Sequence, residues 1–211
     1  MALRADDYEV RLIPQPEWRA ARQFVVEHHY SRGCSNTSVY AHGLYRKGAS
    51  ELLGVAMWMP PTRIAAESVN EPQWRKVLTL SRLAIRPDVP KNGATFLMGR
   101  SIRLIRRDAR FVSLVTYADD FMKHTGAIYH AANWTYVGKT AKYPRWEDKS
   151  GGQVAKLATK TRTNAQMRAL GHTLVGTFAK HKFVMHLKQR CEGDRIPGSA
   201  EAAILFFAAA C

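Results

Sequence analysis

The chain has 211 residues, of which 32 are Lys or Arg and 17 are Asp or Glu, so its formal net charge is +15. A chain of this length buries a substantial core, and three cysteines without CxxC spacing argue against a disulfide framework and a zinc knuckle. The charge favours a polyanionic partner, with a solvated basic face or an acidic protein partner as the alternatives.

The first predicted elements are a helix and a hairpin. Apolar residues recur at three-and-four spacing over residues 17–30, which is typical of an amphipathic helix, and His28 and His29 lie at its C-terminal end. Residues 38–62 contain two apolar, β-rich runs about a turn and close on two prolines, which predicts an antiparallel hairpin. A short helix is expected around residues 71–76.

A buried strand and a long helix follow. The strand over residues 77–87 is interrupted by Ser81 and Arg82, polar residues that a buried strand keeps only when they have partners, so both are candidate site residues. Residues 94–107 predict a helix with a basic outer face. Its apolar stripe consists of Leu97, Met98, Ser101, Ile102 and Ile105.

The remaining periodic segments complete a mixed α/β domain over residues 1–211. Residues 111–120 form another strand, with Asp119 at its carboxyl end, where α/β proteins often bind ligands. A short helix is predicted over residues 124–134, a strand after it, and a last strand over residues 180–188.

Positive charge concentrates between residues 139 and 190, where 12 Lys or Arg stand against 2 acidic residues. This basic segment is the expected nucleic-acid footprint, because cations and aromatic rings together suit phosphates and extruded bases. Charge alone does not distinguish DNA from RNA, and either aromatic side chain could instead be core. The predicted contacts are Lys139, Lys142, Tyr143, Arg145, Trp146, Lys160 and Arg162.

Neither end of the chain predicts a membrane protein. The N-terminal residues lack an apolar signal core, and the longest apolar run, residues 202–211, is too short to span a bilayer. The expected location is the cytoplasm. The tail over residues 191–211 is expected to pack or to self-associate, which would give a homodimer.

The order strand, loop, helix, strand, helix, strand resembles the acetyl-CoA binding core of the GCN5-related N-acetyltransferases. That resemblance implies a mostly antiparallel sheet flanked by helices, here with a basic C-terminal extension, and acetyl-CoA as cofactor. The free amides and positive dipole end of a helix favour a phosphate. The predicted cofactor-binding residues are Lys91, Asn92, Gly93, Ala94 and Thr95, with Asn92 as the helix cap, although the family's usual glycine-rich signature is present only as "PKNGAT".

Six motifs follow one another along the chain: "HHYSR", "LSRLAI", "NGATFLMGRSIR", "VTYAD", "GAIYHAANWTYVGKT" and "KHKFVMHL". In this order they are similar to the motifs of the Mom family of phage DNA-modification proteins. Membership would imply conversion of adenine to N6-carbamoylmethyl adenine in double-stranded DNA, with acetyl-CoA as the presumed donor, which protects phage DNA from restriction in the host cytoplasm. A base-flipping mechanism would follow, because the amino group must leave the stack to react.

The Mom resemblance also implies a set of catalytic residues. They are His29, Tyr30, Arg82, Asp119 and Tyr129. Asp119 is expected to accept a proton and Tyr129 to act as a general acid. Arg82 would be either a buried counterion of Asp119 or a clamp on a phosphate. His29 would belong to a base cluster or to a mononuclear iron site, without the His-x-Asp spacing that marks such sites.

Two other functions remain open at this stage. An N-acetyltransferase acting on a small amine, a protein or RNA would work without DNA. A noncatalytic nucleic-acid-binding module would bind DNA and leave it unchanged. Neither composition nor spacing decides among these hypotheses.

Overall fold

The computed structural model describes residues 3–34, 36–154 and 162–187. Its strands in chain order are β1 (Tyr8–Leu12), β2 (Tyr40–Arg46), β3 (Gly54–Met59), β4 (Val77–Ile85), β5 (Ser113–Asp119), β6 (Thr135–Lys139), β7 (Tyr143–Glu147), β8 (Gln153–Val154), β9 (Thr173–Phe178) and β10 (Lys180–His186). A seven-stranded sheet has the order β1-β2-β3-β4-β5-β10-β6, and β8-β7-β9 form a smaller sheet.

The helices are short except for two. They are α1 (Trp18–His28), α2 (Arg63–Glu67), α3 (Gly93–Arg107), α4 (Ala127–Ala131) and α5 (Asn164–Ala169), with single 3-10 turns at Gln15–Glu17 and Trp74–Lys76. Among the described residues, none of these helices is long and apolar enough to cross a membrane.

The predicted mixed α/β fold, a mostly antiparallel sheet flanked by helices, is confirmed. The predicted hairpin is formed by β2 and β3. The other predicted helices and strands are observed as α1, β4, α3, β5, α4, β6 and β10. The helix expected at residues 71–76 is only the 3-10 turn at Trp74–Lys76, and β1, α2, α5 and the smaller sheet were not predicted. The predicted tail, residues 191–211, lies outside the described residues.

The basic segment is part of the domain rather than an extension attached to it. Its described residues form the smaller sheet, α5 and β10, and β10 lies inside the main sheet between β5 and β6. These residues are integral to the fold, because a strand paired on both sides is an internal element of its sheet. The part of the predicted C-terminal extension beyond residue 187 lies outside the described residues.

Helices cover both faces of the main sheet. On one face, α1 buries Ala21, Phe24 and Val25 in a cluster with residues of β2, β3 and β4. On the other face, α3 buries all five residues of its predicted stripe, each at most 4% exposed. The amphipathic pattern of α1 and α3 thus fixes which side chains of the intervening strands meet each helix.

The parallel pair β4 and β5 comes apart along its length. Among the described residues, the two strands pair only over residues 77–79 and 113–115. Beyond that point the Thr116 hydroxyl donates a hydrogen bond to the Leu80 carbonyl at 3.2 Å, a side-chain contact in place of a backbone pair. A gap between β4 and β5 therefore opens toward their carboxyl ends.

A β-bulge in β4 lies at the same level as this gap. On β3, Met57 pairs with Arg82 and Trp58 pairs with Leu80, so Ser81 is the extra residue. Leu80 belongs to the core under α3, whereas Ala84 belongs to the core under α1, so the bulge exchanges the two faces of the strand. Arg82, two residues before Ala84, consequently points toward α1.

Three buried side chains hold α3 to the sheet by hydrogen bonds. The Trp58 indole donates to the Ser101 hydroxyl at 2.7 Å, and Ser101 Oγ lies 2.6 Å from His42 Nδ1. All three residues are at most 2% exposed. Burial lowers the pKa of His42 to about 4, so its ring is neutral near pH 7 and suits this apolar site.

We expect Ser101→Ala to destabilise the protein by about 2–4 kcal/mol, because it leaves two buried polar side chains without their shared partner. Gly99→Ala, in the same helix, is the matched control. A Cβ at Gly99 meets nothing within 4 Å, so that change should stabilise the helix by about 0.5–1 kcal/mol. Urea unfolding measures both; equal effects of the two changes would contradict the role of Ser101.

Candidate active site

A cleft of about 590 Å³ occupies the gap between β4 and β5. One part of its wall comes from the α3 face of the sheet, through Ala94 and the start of α4. The other part comes from the α1 face, through the end of α1 and Arg82. The cleft thus passes through the sheet, and ligands could enter it from opposite faces. Its lining comprises residues 28–30, 80–83, 85, 94, 117–118 and 123–129.

The start of α3 offers free backbone amides at the cleft. The amides of Ala94 and Thr95 lie in the first helical turn and have no hydrogen bond to another described residue. Ala94 lines the cleft, whereas the Thr95 hydroxyl donates back to the Asn92 carbonyl at 2.9 Å. Of the five predicted cofactor-binding residues, all within the described ranges, Ala94 alone lines the cleft.

Asn92 and Gly93 have structural roles that were not predicted. The Asn92 amide bonds the backbone of Leu3, accepting from its N–H at 2.6 Å and donating to its carbonyl at 3.2 Å. Asn92 is the N-cap residue of α3, as predicted, but its side chain makes no cap hydrogen bond to the helix. A Cβ at Gly93 would lie 2.4 Å from a Val89 methyl carbon, which explains the glycine by packing. Lys91 is exposed beside them.

His29 follows the last residue of α1, where the backbone becomes extended. Its Nδ1 accepts the Ser31 N–H at 3.1 Å and lies 2.8 Å from the Ser31 hydroxyl. Burial first, then the charge of Arg82, and then His124 lower the pKa of His29 to about 4. The ring is therefore neutral at pH 7 and carries its proton on Nε2, because Nδ1 is already an acceptor.

This arrangement changes the role expected of His29. A neutral ring whose Nδ1 is occupied offers an Nε2–H donor, so His29 is an orienting donor more readily than a base. His28, the last helical residue, packs its ring on Phe24 at 4.4 Å between centroids. Both histidines line the cleft, but only His29 joins the aromatic cluster described next.

Tyr30 and His124 extend this cluster at the mouth of the cleft. The Tyr30 ring lies 4.4 Å from the His29 ring and 5.2 Å from the His124 ring, edge-on to the latter. Burial, followed by the charge of Asp119, raises the pKa of Tyr30 to about 12. Tyr30 therefore keeps its proton at neutral pH, although the side chain is 40% exposed.

Asp119 ends β5 and is 6% exposed. Its Oδ1 accepts the Phe121 amide at 3.1 Å, and its backbone carbonyl accepts the His124 amide at 3.2 Å. The carboxylate thus fixes the start of the loop that forms one wall of the cleft. The second carboxylate oxygen has no hydrogen-bond partner among the described residues.

Arg82 brings an unneutralised positive charge to the floor of the cleft. Its Nε donates to the Gly33 carbonyl and its Nη1 to the Ser81 carbonyl, both at 2.6 Å. No carboxylate in the described part of the chain forms an ion pair with Arg82, so the predicted counterion role toward Asp119 is wrong. The anion-clamp alternative is the one that this geometry leaves.

Tyr129 closes the cleft from α4. The side chain is 9% exposed and packs on Phe183 at 5.1 Å and Trp134 at 6.0 Å between ring centroids. Burial raises the pKa of Tyr129, and the nearby Thr116 hydroxyl opposes that rise. Gly126, just before α4, has a φ of +79°, and a Cβ there would lie 2.2 Å from Phe183, so only glycine fits this wall.

The predicted iron site has no support in this geometry. Within the described ranges, no group of three or more His, Cys, Asp or Glu side chains is arranged to hold a metal ion. His29 would also have to give up its bond from the Ser31 amide to use Nδ1 as a ligand. The side chains here do not fit a mononuclear iron centre.

Two predicted DNA contacts are internal. Trp146 is 1% exposed in the smaller sheet, so it cannot stack on a base without unfolding. The Arg145 side chain is 10% exposed; it pairs with Glu147 at 2.8 Å and lies 3.8 Å from the centroid of the Phe121 ring. Both predictions are wrong, because the inner side of β7 faces Phe121 and the core of the smaller sheet.

The other predicted DNA contacts differ in availability. Lys142 is exposed, and Tyr143 is 64% exposed. Lys139 pairs with Asp120 at 3.1 Å on the surface, and Arg162 is half-buried. Lys160 lies outside the described residues.

Among the cleft-lining residues that sequence reasoning missed are Tyr117 and His124. Tyr117 could have been found, because residues two apart in a strand share a face and Tyr117 stands two before Asp119. His124 gave no such signal, since it lies in an irregular loop. Its place is fixed by the Asp119 carbonyl and the Tyr30 ring.

The model of the Mom protein family matches residues 7–196. The chain belongs to the Mom protein family. All six motifs that resembled this family lie inside the matched region. A search of curated proteins finds no match to this Mom-family chain.

Solved structures similar to this Mom-family protein are acetyltransferases. The ribosomal-protein-S18-alanine N-acetyltransferase of Escherichia coli is 10% identical with a TM-score of 0.52, over 90% of this chain and 99% of that one. The ribosomal-protein-S5-alanine acetyltransferase of Vibrio fischeri is 9% identical with a TM-score of 0.54, over 90% and 100%. A Salmonella typhimurium protein described with its cofactor acetyl-CoA is 12% identical with a TM-score of 0.50, over 90% and 99%. These likenesses establish the fold.

We expect Arg82→Gln to raise the pKa of His29 above its value of about 4, because a neighbouring cation that disfavours protonation is removed. The pKa should stay below 6.5, since burial is the larger cause. His42 is the internal control: burial alone holds its pKa near 4, so it should not move. Imidazole NMR titration measures both; an unchanged His29 would show that Arg82 does not act on it.

The two cations on either side of Tyr143 should behave differently. Lys142→Gln removes an exposed charge, so we expect it to lower the salt dependence of DNA binding by about one counterion and to leave stability unchanged. Arg145→Gln removes a buried ion pair and ring contact, and should cost about 1–3 kcal/mol of unfolding free energy. Salt titrations and urea unfolding separate the two effects. The reverse pattern would restore Arg145 as a DNA contact.

Proposed function

We propose that this Mom-family protein is a DNA-modifying transferase that builds N6-carbamoylmethyl adenine in double-stranded DNA from adenine, acyl-CoA, an ammonia-level nitrogen donor and a two-electron oxidant, with release of the CoA thiol. The observation that carries the proposal is the cleft through the sheet, which has free helix amides on one face and polar side chains on the other. Family membership and a chain charge of +15 support DNA as the acceptor.

The α3 side of the cleft fits a CoA pyrophosphate. Ala94 lines this opening, the amides of Ala94 and Thr95 are free in the first turn of a 15-residue helix, and exposed Lys91 adds a charge. The apolar side chains of Leu80 and Leu83 line the gap beyond it. Bound acyl-CoA would supply the activated two-carbon unit, as a thioester, to the centre of the cleft.

The α1 side of the cleft fits the adenine. The exocyclic amine of adenine is a weak nucleophile, since its lone pair is delocalised into the ring, and it must lose a proton on reaction. Asp119 would accept that proton at its unbonded carboxylate oxygen. Neutral His29 would donate from Nε2 to a ring nitrogen of the base and hold it in place.

Arg82 and Tyr129 would act on the donor. The Arg82 guanidinium has no carboxylate partner among the described residues, so it remains available for negative charge that develops on an oxygen in the cleft. Tyr129 keeps its proton at neutral pH because burial raises its pKa, and from its position in the cleft wall it would protonate the leaving thiolate.

The decisive test compares neighbouring aspartates. In bacteria that express the protein, we expect wild type to yield deoxyadenosine with the added mass of a carbamoylmethyl group, and Asp119→Asn to lower its amount by about 100-fold or more. Asp119→Asn keeps an oxygen for the Phe121 amide. Asp120→Asn is the matched control, because its surface pairs with Lys139 and His181 contribute little. Mass spectrometry of nucleosides from digested DNA provides the measurement.

Purified protein separates the alternatives. Release of the CoA thiol from acetyl-CoA that depends on DNA supports the proposal, and release with a small amine or a protein but not with DNA would make the chain an N-acetyltransferase. DNA binding with unmodified DNA in cells would make it a noncatalytic binding module. The amounts of soluble protein must be matched for every variant.

A further inference from the structure

Tyr117 is an aromatic side chain in the cleft that the proposed chemistry does not use. It is half-buried on β5, lines the cleft, and its hydroxyl makes no hydrogen bond to another described residue. Tyr117 follows the part of β5 that pairs with β4, so one side of the residue faces the gap rather than a neighbouring strand. The Tyr117 side chain packs against the buried cluster of Ala66, Val77, Val115 and Val184 and also lines the cleft.

The other wall of the cleft is aromatic as well. Tyr30 and His124 form an edge-to-face pair that lines the same cavity. Tyr117 and Asp119 are two residues apart in β5 and therefore share the α1 face of the sheet. Tyr117, Tyr30 and His124 therefore all line the cavity beside the end of β5, where Asp119 stands.

Two lysines border Tyr117 on this face. In the antiparallel pair of β5 and β10, Lys182 lies opposite Tyr117 and Lys180 lies opposite Asp119, and opposed residues point to the same side. Lys182 Nζ donates to the Ser68 hydroxyl at 2.7 Å and the Ser68 carbonyl at 3.2 Å, both uncharged acceptors. Lys180 is exposed, and among the described residues neither lysine has an ion pair.

We propose that Tyr117 is the stacking wall for the extruded nucleobase, and that Lys180 and Lys182 hold the adjoining phosphates of the DNA strand. The Tyr117 ring would stack on the face of the base, and the two lysines of β10 would contact the backbone phosphates. The Asp119 carboxylate would bind the amino group of the same nucleotide. This inference rests on the proposed function, since it names the subsite that orients the acceptor adenine.

Binding of two short single-stranded oligonucleotides tests Tyr117. They are identical except that one adenine is replaced by an abasic residue, and affinity is measured by fluorescence anisotropy. Wild type should favour the adenine by roughly 5- to 100-fold, the range expected for stacking of one base. Tyr117→Phe should keep this preference, whereas Tyr117→Leu, of similar apolar character but without a ring, should lose it and keep its affinity for the abasic strand.

Tyr136→Leu is the matched tyrosine control, since Tyr136 is 42% exposed on β6 and does not line the cleft. Lys180→Gln and Lys182→Gln should weaken both oligonucleotides equally and lower the salt slope by about one counterion each. Lys47→Gln, an exposed lysine between β2 and β3, should change neither quantity. Thermal unfolding confirms that each variant is folded.

The outcomes distinguish this inference from the proposed function. If Tyr117→Leu discriminates as wild type does, or if wild type modifies DNA yet binds adenine and abasic strands equally, the stacking role is wrong while the transferase stands. If wild type prefers adenine through Tyr117 but leaves cellular DNA unmodified, the stacking subsite stands and the transferase proposal is wrong. Failure to bind either strand overturns the stacking subsite, while the transferase proposal is still decided by the nucleosides of cellular DNA.

Discussion

The early separation of β4 from β5 is the constraint on which the rest of the site depends. A parallel pair that stayed together to its carboxyl ends would fill the volume that is now a cleft of about 590 Å³. At the point of separation lie the bulge at Ser81 and the hydrogen bond from the Thr116 hydroxyl to the Leu80 carbonyl. Because the bulge exchanges the faces of β4, the same local irregularity that accompanies the gap also directs Arg82 into it.

The position of Arg82 in the gap determines the electrostatics of the cleft. A partly buried guanidinium bonded only to carbonyls keeps its full charge, and this charge adds to burial in lowering the pKa of His29. Asp119 acts in the opposite sense on Tyr30, whose pKa burial already raises. The cleft therefore holds a neutral imidazole and a neutral phenol beside fixed charges of both signs. Such a set can orient polar reactants without exchanging protons with bulk water near pH 7.

The same pKa shifts link the site to stability. His29 and His42 both have a pKa near 4 in the folded chain, below the ordinary value of 6.5. The unfolded chain therefore binds more protons than the folded chain between these values. Stability contributed by the neutral rings is present above about pH 6.5 and is lost as the pH falls toward 4. The neutral state of these histidines therefore lowers the free energy of unfolding only at acidic pH.

Sequence reasoning succeeded where one physical signal dominates. The stripe of α3 is buried residue for residue, because a 15-residue amphipathic helix on a sheet leaves a single solution. It failed at β1 and in the smaller sheet, whose short strands are set by pairing with distant residues. The face that Arg82 adopts could not be read either, since a bulge changes the parity of a strand without altering its composition.

Trp146 and Arg145 show a different kind of failure. Basic and aromatic residues interleaved along a chain suit nucleic acid, but such residues can equally be internal to a small sheet. Arg145 and Trp146 are consecutive in β7 and both internal, and the register with β9 shifts between them, while Tyr143 remains 64% exposed. The basic segment thereby has two functions in the fold. Its outer residues present charge, and Arg145 supports Phe121.

The contact between Arg145 and Phe121 connects the smaller sheet to the cleft. Phe121 lies under the Arg145 guanidinium at 3.8 Å and meets the Phe178 ring edge-on at 4.8 Å, while its amide donates to Asp119. The smaller sheet thus fixes the loop after β5 from outside, and the carboxylate fixes it from inside. Since that loop supplies residues 123–126 of the cleft wall, the position of this wall depends on a segment whose charge had predicted a nucleic-acid footprint. Rigid support and an exposed cationic surface are in this way built from one stretch of chain.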